Sequence, residues 1–427
     1  MAADTPVETN KVITVDKLTA GTITVTGNKE FSAAAILQFL PSLHKGQLLD
    51  IQTISNEVAF ANNNPALKIA VDIQPQSPTT ANVEVRVAEA KTFRNMITYD
   101  NTGDDQTGKN RMGYLAVDYN WLGQAQTAVF SYTRSPDNNK VDQFGFMNAI
   151  PLPKAGDTLT ISGSYSNVNA GLVADYFNIA GNGKALGAHY THNLKTSANH
   201  QASLDFGVDY KEYNNGIDFF GTNLGTNVNT LPVSVAFQYT STGADSRFSG
   251  SLGFTGNLAT ASSSQTVFDN TRAGAVNNYT VWHQNATYQQ QLNKAGWLLS
   301  TQLESQYADT PLISGEQFGL GGAHSVRGFG ERALVGDKGG RLTTEIYTPE
   351  IFKGQKLLVF FDQGKYWLNN PQAGDIASQS ISSCGLGWRL STPGGTAIAL
   401  DWAKVLRGTD ATPKGSTKVH LFASQTF

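Results

Sequence analysis

The chain has 427 residues, a net charge of -3, a single cysteine, Cys384, and only 15% charged residues against 42 glycines. One cysteine excludes an internal disulfide framework and any cysteine-based metal cluster, the near-neutral charge gives no electrostatic footprint for nucleic acid, and no stretch reaches the roughly 18 to 20 apolar residues of a membrane-spanning helix. With charge well under the roughly 25% of a soluble domain and polarity carried by Asn, Gln, Ser, Thr and Gly, a membrane role would have to use strands that are apolar on one face and polar on the other.

Met1 to Asn10 has neither a basic n-region nor an apolar h-region, so it is no signal peptide, and residues 1–11 read as a tag, a linker or a trimmed start. Residues 21–27 (GTITVTG) alternate like a strand. Phe31 to Leu40 then carries apolar residues at helical spacing, with Pro41 as a stop. A second amphipathic stretch runs from about Leu49 to Ala61. Two alternating strands follow, Leu67 to Gln74 and Asn82 to Ala88, joined by a Pro/Ser/Thr turn. The order β-α-α-β-β predicts a small α+β domain over residues 12–91, a three-stranded sheet covered by two helices with an open edge.

From 92 to 427 helical periodicity gives way to alternation. Leu115, Val117, Tyr119 and Trp121 form one face of a segment whose other face is Ala116, Asp118 and Asn120; Leu204, Phe206, Val208 and Tyr210 alternate with Ser203, Asp205, Gly207 and Asp209. Bare aspartates require that the polar face be wet. About sixteen such segments occur, at 94–100, 111–120, 125–133, 142–150, 157–166, 184–194, 200–211, 230–240, 246–255, 277–290, 297–307, 339–347, 356–362, 382–390, 396–402 and 418–427. An even number, with short connections alternating with long ones, is the pattern of an antiparallel transmembrane barrel with periplasmic turns and extracellular loops. A soluble sandwich or propeller also alternates, but the graded connections, the lack of a repeated blade motif and the aromatic C-terminus favour the barrel. Val419, Leu421 and Ala423 share a face with the terminal Phe427, interrupted by Gln425. That face resembles the sorting signal read by outer-membrane assembly machinery.

Two charges stand in unfavourable places. Arg327 lies in the glycine-rich run Gly319-Leu320-Gly321-Gly322-Ala323-His324-Ser325-Val326-Arg327-Gly328-Phe329-Gly330-Glu331, and Asp362 lies in the apolar strand Leu358-Val359-Phe360-Phe361-Asp362-Gln363-Gly364. A buried ion without a partner costs several kcal/mol, so the simplest arrangement pairs them, with the loop at about 308–338 folded into the barrel. Asp362 shares a strand face with Leu358 and Phe360, so Val359 and Phe361 face lipid and Asp362 faces the lumen. A guanidinium with its fixed fork of donors suits this role better than an ammonium. Gly328 and Gly330 would allow a positive φ at the loop tip.

Enzymatic signals are weak: there is no Gly-x-Ser-x-Gly elbow and no His-Glu-x-x-His. His189 and His192 fall on opposite strand faces, which makes them poor joint metal ligands. Gly181-Asn182-Gly183-Lys184 lacks the P-loop spacing and reads as a loop tip. No catalytic residue, metal or cofactor is expected.

Several of these patterns coincide with one family. Val326-Arg327-Gly328-Phe329, Phe360, Asp362 and Gly364, together with Tyr99-Asp100-Asn101-Thr102-Gly103, Thr107-Gly108, Arg111, Asn120, Leu122-Gly123 and Asn64-Pro65, resemble the outer-membrane transporter of two-partner secretion, of the haemolysin-activator type. The resemblance implies a sixteen-stranded outer-membrane barrel that exports a large, unfolded, β-helical partner exoprotein (an adhesin, haemolysin or inhibitor toxin). Its periplasmic polypeptide-transport-associated (POTRA) domain would be the one at 12–91. The cargo would add as an extended segment to an open sheet edge; with the usual strand order that edge is Lys68, Ile69, Ala70, Val71, Asp72 and Ile73. Outer-membrane lipid and the barrel-assembly machinery would be further partners, and the protein would be a monomer. Family members carry two such domains and a plug helix ahead of the barrel, so the chain reads as trimmed upstream, or as a translocator of a fused passenger. The superfamily also includes barrel-assembly insertases, the alternative reading.

Overall fold

The computed structural model describes residues 18–104, 107–137, 141–167, 182–194, 199–214 and 226–427, and by their backbone alone the strand pairs Leu172–Val173 with Phe177–Asn178 and Asp218–Phe219 with Thr222–Asn223. Residues 1–11 and the first part of the 12–91 domain lie outside the described residues. The chain forms two compact units.

The first unit runs to Phe93 and also takes in Asp118–Thr127 and Pro151–Asp157. Its elements are β1 (Thr19–Thr26), α1 (Ala33–Gln38), α2 (Ile51–Ala61), β2 (Leu67–Pro75) and β3 (Thr80–Glu89). The Ser32 hydroxyl accepts the Ala35 N–H and the Asp50 carboxylate accepts the N–H groups of Gln52 and Thr53, satisfying donors that each helix start would leave bare. The central strand β3 lies between a parallel β1 and an antiparallel β2, so β2 is an outer strand. Ala81, Val83, Val85 and Val87 of β3 alternate into a core with Phe31, Ile36, Leu40, Leu49 and Leu67.

The barrel has sixteen strands: β4 (Phe93–Asp100), β5 (Arg111–Trp121), β6 (Gln126–Arg134), β7 (Asp142–Leu152), β8 (Asp157–Ser166), β9 (Gly183–Leu194), β10 (His200–Tyr213), β11 (Pro232–Thr242), β12 (Ser246–Asn257), β13 (Thr280–Gln291), β14 (Leu298–Ala308), β15 (Lys338–Tyr347), β16 (Gln355–Trp367), β17 (Ser378–Ser391), β18 (Thr396–Arg407) and β19 (Thr417–Thr426). Sequential strands pair, and β19 closes on β4 in antiparallel register from Phe422 opposite Asp100 to Thr426 opposite Met96. Turns at 122–125, 153–156, 243–245 and 392–395 are short, while the connections at 258–279 and 309–337, at the other end, are long. In β16 the outward Val359 is 49% exposed while Leu358, Phe360 and Asp362 are buried, the two-faced pattern of a strand between lipid and a filled lumen.

Two sequence readings need correction. In β5 the expected alternation fails, because Leu115, Ala116 and Val117 are all buried and the outward apolar residues are Met112 and Tyr114. The strand continues into a turn that belongs to the first unit, where Tyr119 packs on the apolar core. Gly183 and Lys184 are not in a loop: they begin β9, with Lys184 opposite Glu212 of β10, and the ladder pairing fixes them. Gly181 lies outside the described residues.

Candidate functional site inside the barrel

The connection 309–337 joins β14 to β15. A short antiparallel pair, Phe318–Leu320 with Leu334–Gly336, narrows it to a tip at 321–333. Phe318, Leu320, Val326 and Phe329 pack against the inward-facing Tyr366 of β16, Ile381 of β17 and Val405 of β18. An apolar cluster of loop and wall residues therefore holds the segment in place before any charge is considered. Gly364 is part of the fit, since a Cβ there would sit 2.6 Å from Leu320 Cδ2. Gly328 has φ +96°, a conformation that favours glycine. Gly330 does not; the other left-handed glycines of the tip are Gly321 and Gly322, and the Gly330 carbonyl crowds Gly321, whose Cβ would lie 2.6 Å from it.

Arg327 is 3% exposed and Asp362 is fully buried. Arg327 Nε donates to Asp362 Oδ2 at 2.8 Å and Nη2 to Oδ1 at 2.9 Å, a bidentate fork, and the Arg327 backbone N–H adds a third bond to Oδ2 at 3.1 Å. Nη1 donates to Glu345 Oε1 at 2.8 Å and to Asp401 Oδ2 at 3.4 Å. The guanidinium carbon lies 3.5 Å from the centre of the Phe360 ring, a cation–π contact in a largely buried site. Asp401 is itself forked by Arg389 at 2.7 and 2.9 Å, and Glu345 accepts the Tyr347 hydroxyl at 2.7 Å. Next to the arginine, Gly328 N–H donates to His420 Nε2 at 3.0 Å, so that nitrogen is unprotonated and the ring proton is on Nδ1.

Five consecutive strands, β15 to β19, thus supply Glu345, Phe360 and Asp362, Arg389, Asp401 and His420 around one loop arginine. Sequence reasoning singled out Val326, Arg327, Gly328, Phe329, Phe360, Asp362 and Gly364, and the structure brings all of them to this place. It passed over Glu345, Arg389, Asp401 and His420. A signal existed for Asp401, which stands between the outward Leu400 and Trp402 and so had to point into the lumen.

A second candidate surface is the outer edge of β2. Ala90 N–H donates to Ala66 O, which fixes the ladder so that Ile69, Val71 and Ile73 turn their backbone groups away from β3. At Ile69 both groups are taken by the Asn62 side chain, at 2.7 Å to N and 3.1 Å to O. Lys68 Nζ reaches Asn62 O at 2.8 Å, and Asp72 pairs with Arg86 at 2.8 Å. The edge open to a partner strand is therefore Val71 to Ile73, shorter than Lys68 to Ile73. At the C-terminus Val419 and Phe427 are exposed on the outer face, Leu421 is half-buried, and Phe427 N–H donates to Asn95 O.

The family model for the haemolysin secretion/activation proteins ShlB, FhaC and HecB matches residues 80–390. The heme/hemopexin transporter protein HuxB of Haemophilus influenzae is 24% identical over 345 residues, 76% of this chain and 59% of its own length; the chain thus spans about three fifths of that relative. Among solved structures, CdiB from Escherichia coli superposes with a TM-score of 0.77 at 17% identity, covering 96% of this chain and 77% of that one. BamA from Haemophilus ducreyi lacking POTRA domains 1–3 gives 0.62 at 14% identity, covering 96% and 85%. These likenesses establish the barrel fold.

Proposed function

From its membership of the ShlB/FhaC/HecB haemolysin secretion/activation family, to which this chain belongs, we propose that it exports one large, unfolded, β-helical partner exoprotein through the barrel. The barrel lies in the outer membrane and the N-terminal domain in the periplasm. The division we propose is a cargo-receiving POTRA domain at 12–91, a pore at 92–427 and a gating segment at about 308–338. The observation that carries the reading is the buried Arg327 network: a segment held in a lumen by ion pairs with the wall is a plug that charge interactions can release. Arg327, Asp362 and their neighbours are the lock.

Cargo recognition is assigned to the β2 edge. An extended segment can bond to the outward backbone groups of Val71 and Ile73, and it extends to Ile69 only by displacing Asn62. Lys68, Ala70 and Asp72 bond inward to β3, so their side chains contribute selectivity and their backbone does not. The face of exposed Val419 and Phe427 with half-buried Leu421 is the part read by the barrel-assembly machinery. Lipid covers the outward apolar face, and the working unit is a monomer.

The test is secretion of the protein encoded beside this gene, scored in medium against periplasm, with and without the gene's full-length product. Loss of export with other outer-membrane proteins normal supports the transporter. A general loss of outer-membrane barrels would make the protein an assembly insertase instead, and export of a fused passenger alone would make it a translocator of its own chain.

A further inference from the structure

The inward segment is fastened at a second place, away from the Arg327 network. Asp337, the last residue of the connection 309–337, is completely buried. Its carboxylate accepts from Arg272 through both Nη1 and Nη2, the second at 2.8 Å, from Leu312 N–H at 2.8 Å, from Gln317 Nε2 at 3.3 Å and from Asn369 N–H at 2.7 Å. Arg272 caps the short helix α3 (Gln265–Thr271) in the connection 258–279, while Asn369 belongs to the connection 368–377. The second nitrogen of the knot, Asn369 Nδ2, donates to Ala308 O and Thr310 O at 2.9 Å each, and Arg272 Nη1 also reaches Leu312 O at 2.6 Å. One carboxylate therefore ties both ends of the inward segment to two other long connections.

Below this node the contacts are apolar. Phe268 of α3 and Tyr279 pack with their ring centres 6.3 Å apart, and both are buried with Leu312, Ile313, Ala308 and Val228. Thus α3 sits on the root of the inward segment rather than projecting into solvent. All three connections leave from the long-loop end, which in an outer-membrane barrel faces outward.

We propose that Asp337 is a positioning residue and that its pair with Arg272 is an outer latch: α3 is a lid over the long-loop mouth, held shut on the root of the inward segment. The root is bound through neutral backbone and amide donors that stay with Asp337, so lifting the lid breaks the Arg272 bonds to Asp337 and Leu312 O and unpacks Phe268 from the root. The tip, held separately at Arg327, moves about a fixed root. This rests on the reading of the barrel as a pore.

Purified protein in planar bilayers tests it through time-averaged ion conductance, with heat-modifiable migration confirming the folded barrel. Arg272→Ala should raise conductance several-fold over the parent, and Arg272→Lys, which keeps the charge but only one donor nitrogen in place of the fork, should raise it less. A Cβ built at Gly274 lies 2.8 Å from Asn370 Nδ2 and 3.9 Å from its Cγ, and both residues have left-handed backbone, at φ +78° and +49°. Gly274→Cys with Asn370→Cys, on a Cys384→Ser background, therefore strains the reduced protein, which is taken as the reference once its folded migration is confirmed, and the disulfide ties the lid to the neighbouring connection. Oxidation should suppress conductance and reductant should restore it. Arg327→Ala serves as the comparison. If it opens the pore while Arg272→Ala conducts like the parent, the latch is wrong and the pore stands. Silence of every variant would remove the pore reading and the latch with it. Should Arg272→Ala fail to fold, the cysteine pair decides: equal conductance oxidised and reduced overturns the latch.

Discussion

Arg327 and Asp337 lie in the same connection, both almost fully buried, and their charges are accommodated in opposite ways. Around Arg327 one cation is shared among the carboxylates of Asp362, Glu345 and Asp401, all carried on barrel strands. Around Asp337 one anion receives a single cation, Arg272, and otherwise neutral donors from the loops themselves. The first arrangement is specific to a charge pattern fixed by the wall, so the loop can leave and return to it. The second is woven into backbone, so it sets where the loop starts and ends. Reversible docking and fixed anchoring thus differ in what supplies the partners, the backbone and amide bonds at Asp337 being the fixed part and its pair with Arg272 the releasable one.

The largest expected effects come from breaking the charge pattern at the tip. Arg327→Asp adds a fourth carboxylate to Asp362, Glu345 and Asp401, while Asp362→Arg sets a second cation against Arg327; each leaves buried like charges, where losing a partner alone costs about 3–5 kcal/mol. Both changes should lower secretion at least tenfold, measured as exoprotein in the medium. For an isolated pair the double exchange would restore most of it. Here Glu345 and Asp401 would still face an aspartate at 327, so the exchange should restore only a minor part; full recovery would show that the two extra carboxylates do not matter. Next in size is Asp337→Asn, which keeps the shape but removes the charge opposite Arg272 and turns one acceptor into a donor. It should loosen the root without releasing the tip, so proteolytic cleavage should increase within 309–317 and 258–279 before it does around Arg327. Simultaneous cleavage at tip and root would show that the two anchors are one.

The barrel was legible because lipid imposes a two-residue period on every strand, and that period survives in sequences such as Val233, Val235 and Phe237, all outward in β11. It was lost where something other than lipid covers the chain, as at Leu115 to Val117. The Arg327 to Asp362 approach could be argued because each residue was an isolated charge in an apolar or glycine-rich run. Glu345 gave no such contrast, lying beside Thr343 and Thr344, whereas Arg389 stands between Trp388 and Leu390 and did carry one; nothing short of the register could place either beside Arg327. Asp337 was hidden for a related reason: next to Gly336 and Lys338 it looks like an ordinary loop aspartate, and its partners come from connections distant in sequence. The Asn62 cap on Ile69 was equally invisible, since it depends on the chain reversing between α2 and β2.

A smaller effect is expected at His420, whose Nε2 accepts the Gly328 N–H. Replacing it by leucine strands a buried donor at a cost of about 1–3 kcal/mol, whereas glutamine can still present an oxygen. Hydrogen exchange at the Gly328 amide should accelerate in His420→Leu and recover in His420→Gln; equal acceleration in both would show that ring packing, not the acceptor, is what counts.

The smallest effect concerns another carboxylate, Glu89 of β3, which receives the N–H groups of Lys29, Glu30 and Phe31 at 2.9, 2.7 and 3.1 Å and forms no ion pair among the described residues. Partial burial alone would raise its carboxyl, but the N–H donors of Glu30, Lys29 and Phe31, with the Lys29 charge behind them, outweigh this and hold it below its ordinary 4.5. A carboxyl lowered on folding stabilises the folded state above its unfolded pKa, and that contribution disappears as pH falls from about 4.5 through the lower folded value. The urea midpoint of the N-terminal domain, followed by proteolysis in the whole chain, should therefore decline on acidification below about pH 4.5, and Glu89→Gln should flatten part of that decline. An unchanged slope in Glu89→Gln would assign the acid sensitivity to other carboxylates and leave the backbone donors as geometry alone. Because these donors are backbone groups, as at the root, and the site is half open to water, the slope should stay shallow. It marks how little a backbone-held carboxylate contributes once the burial that makes Asp337 decisive is taken away.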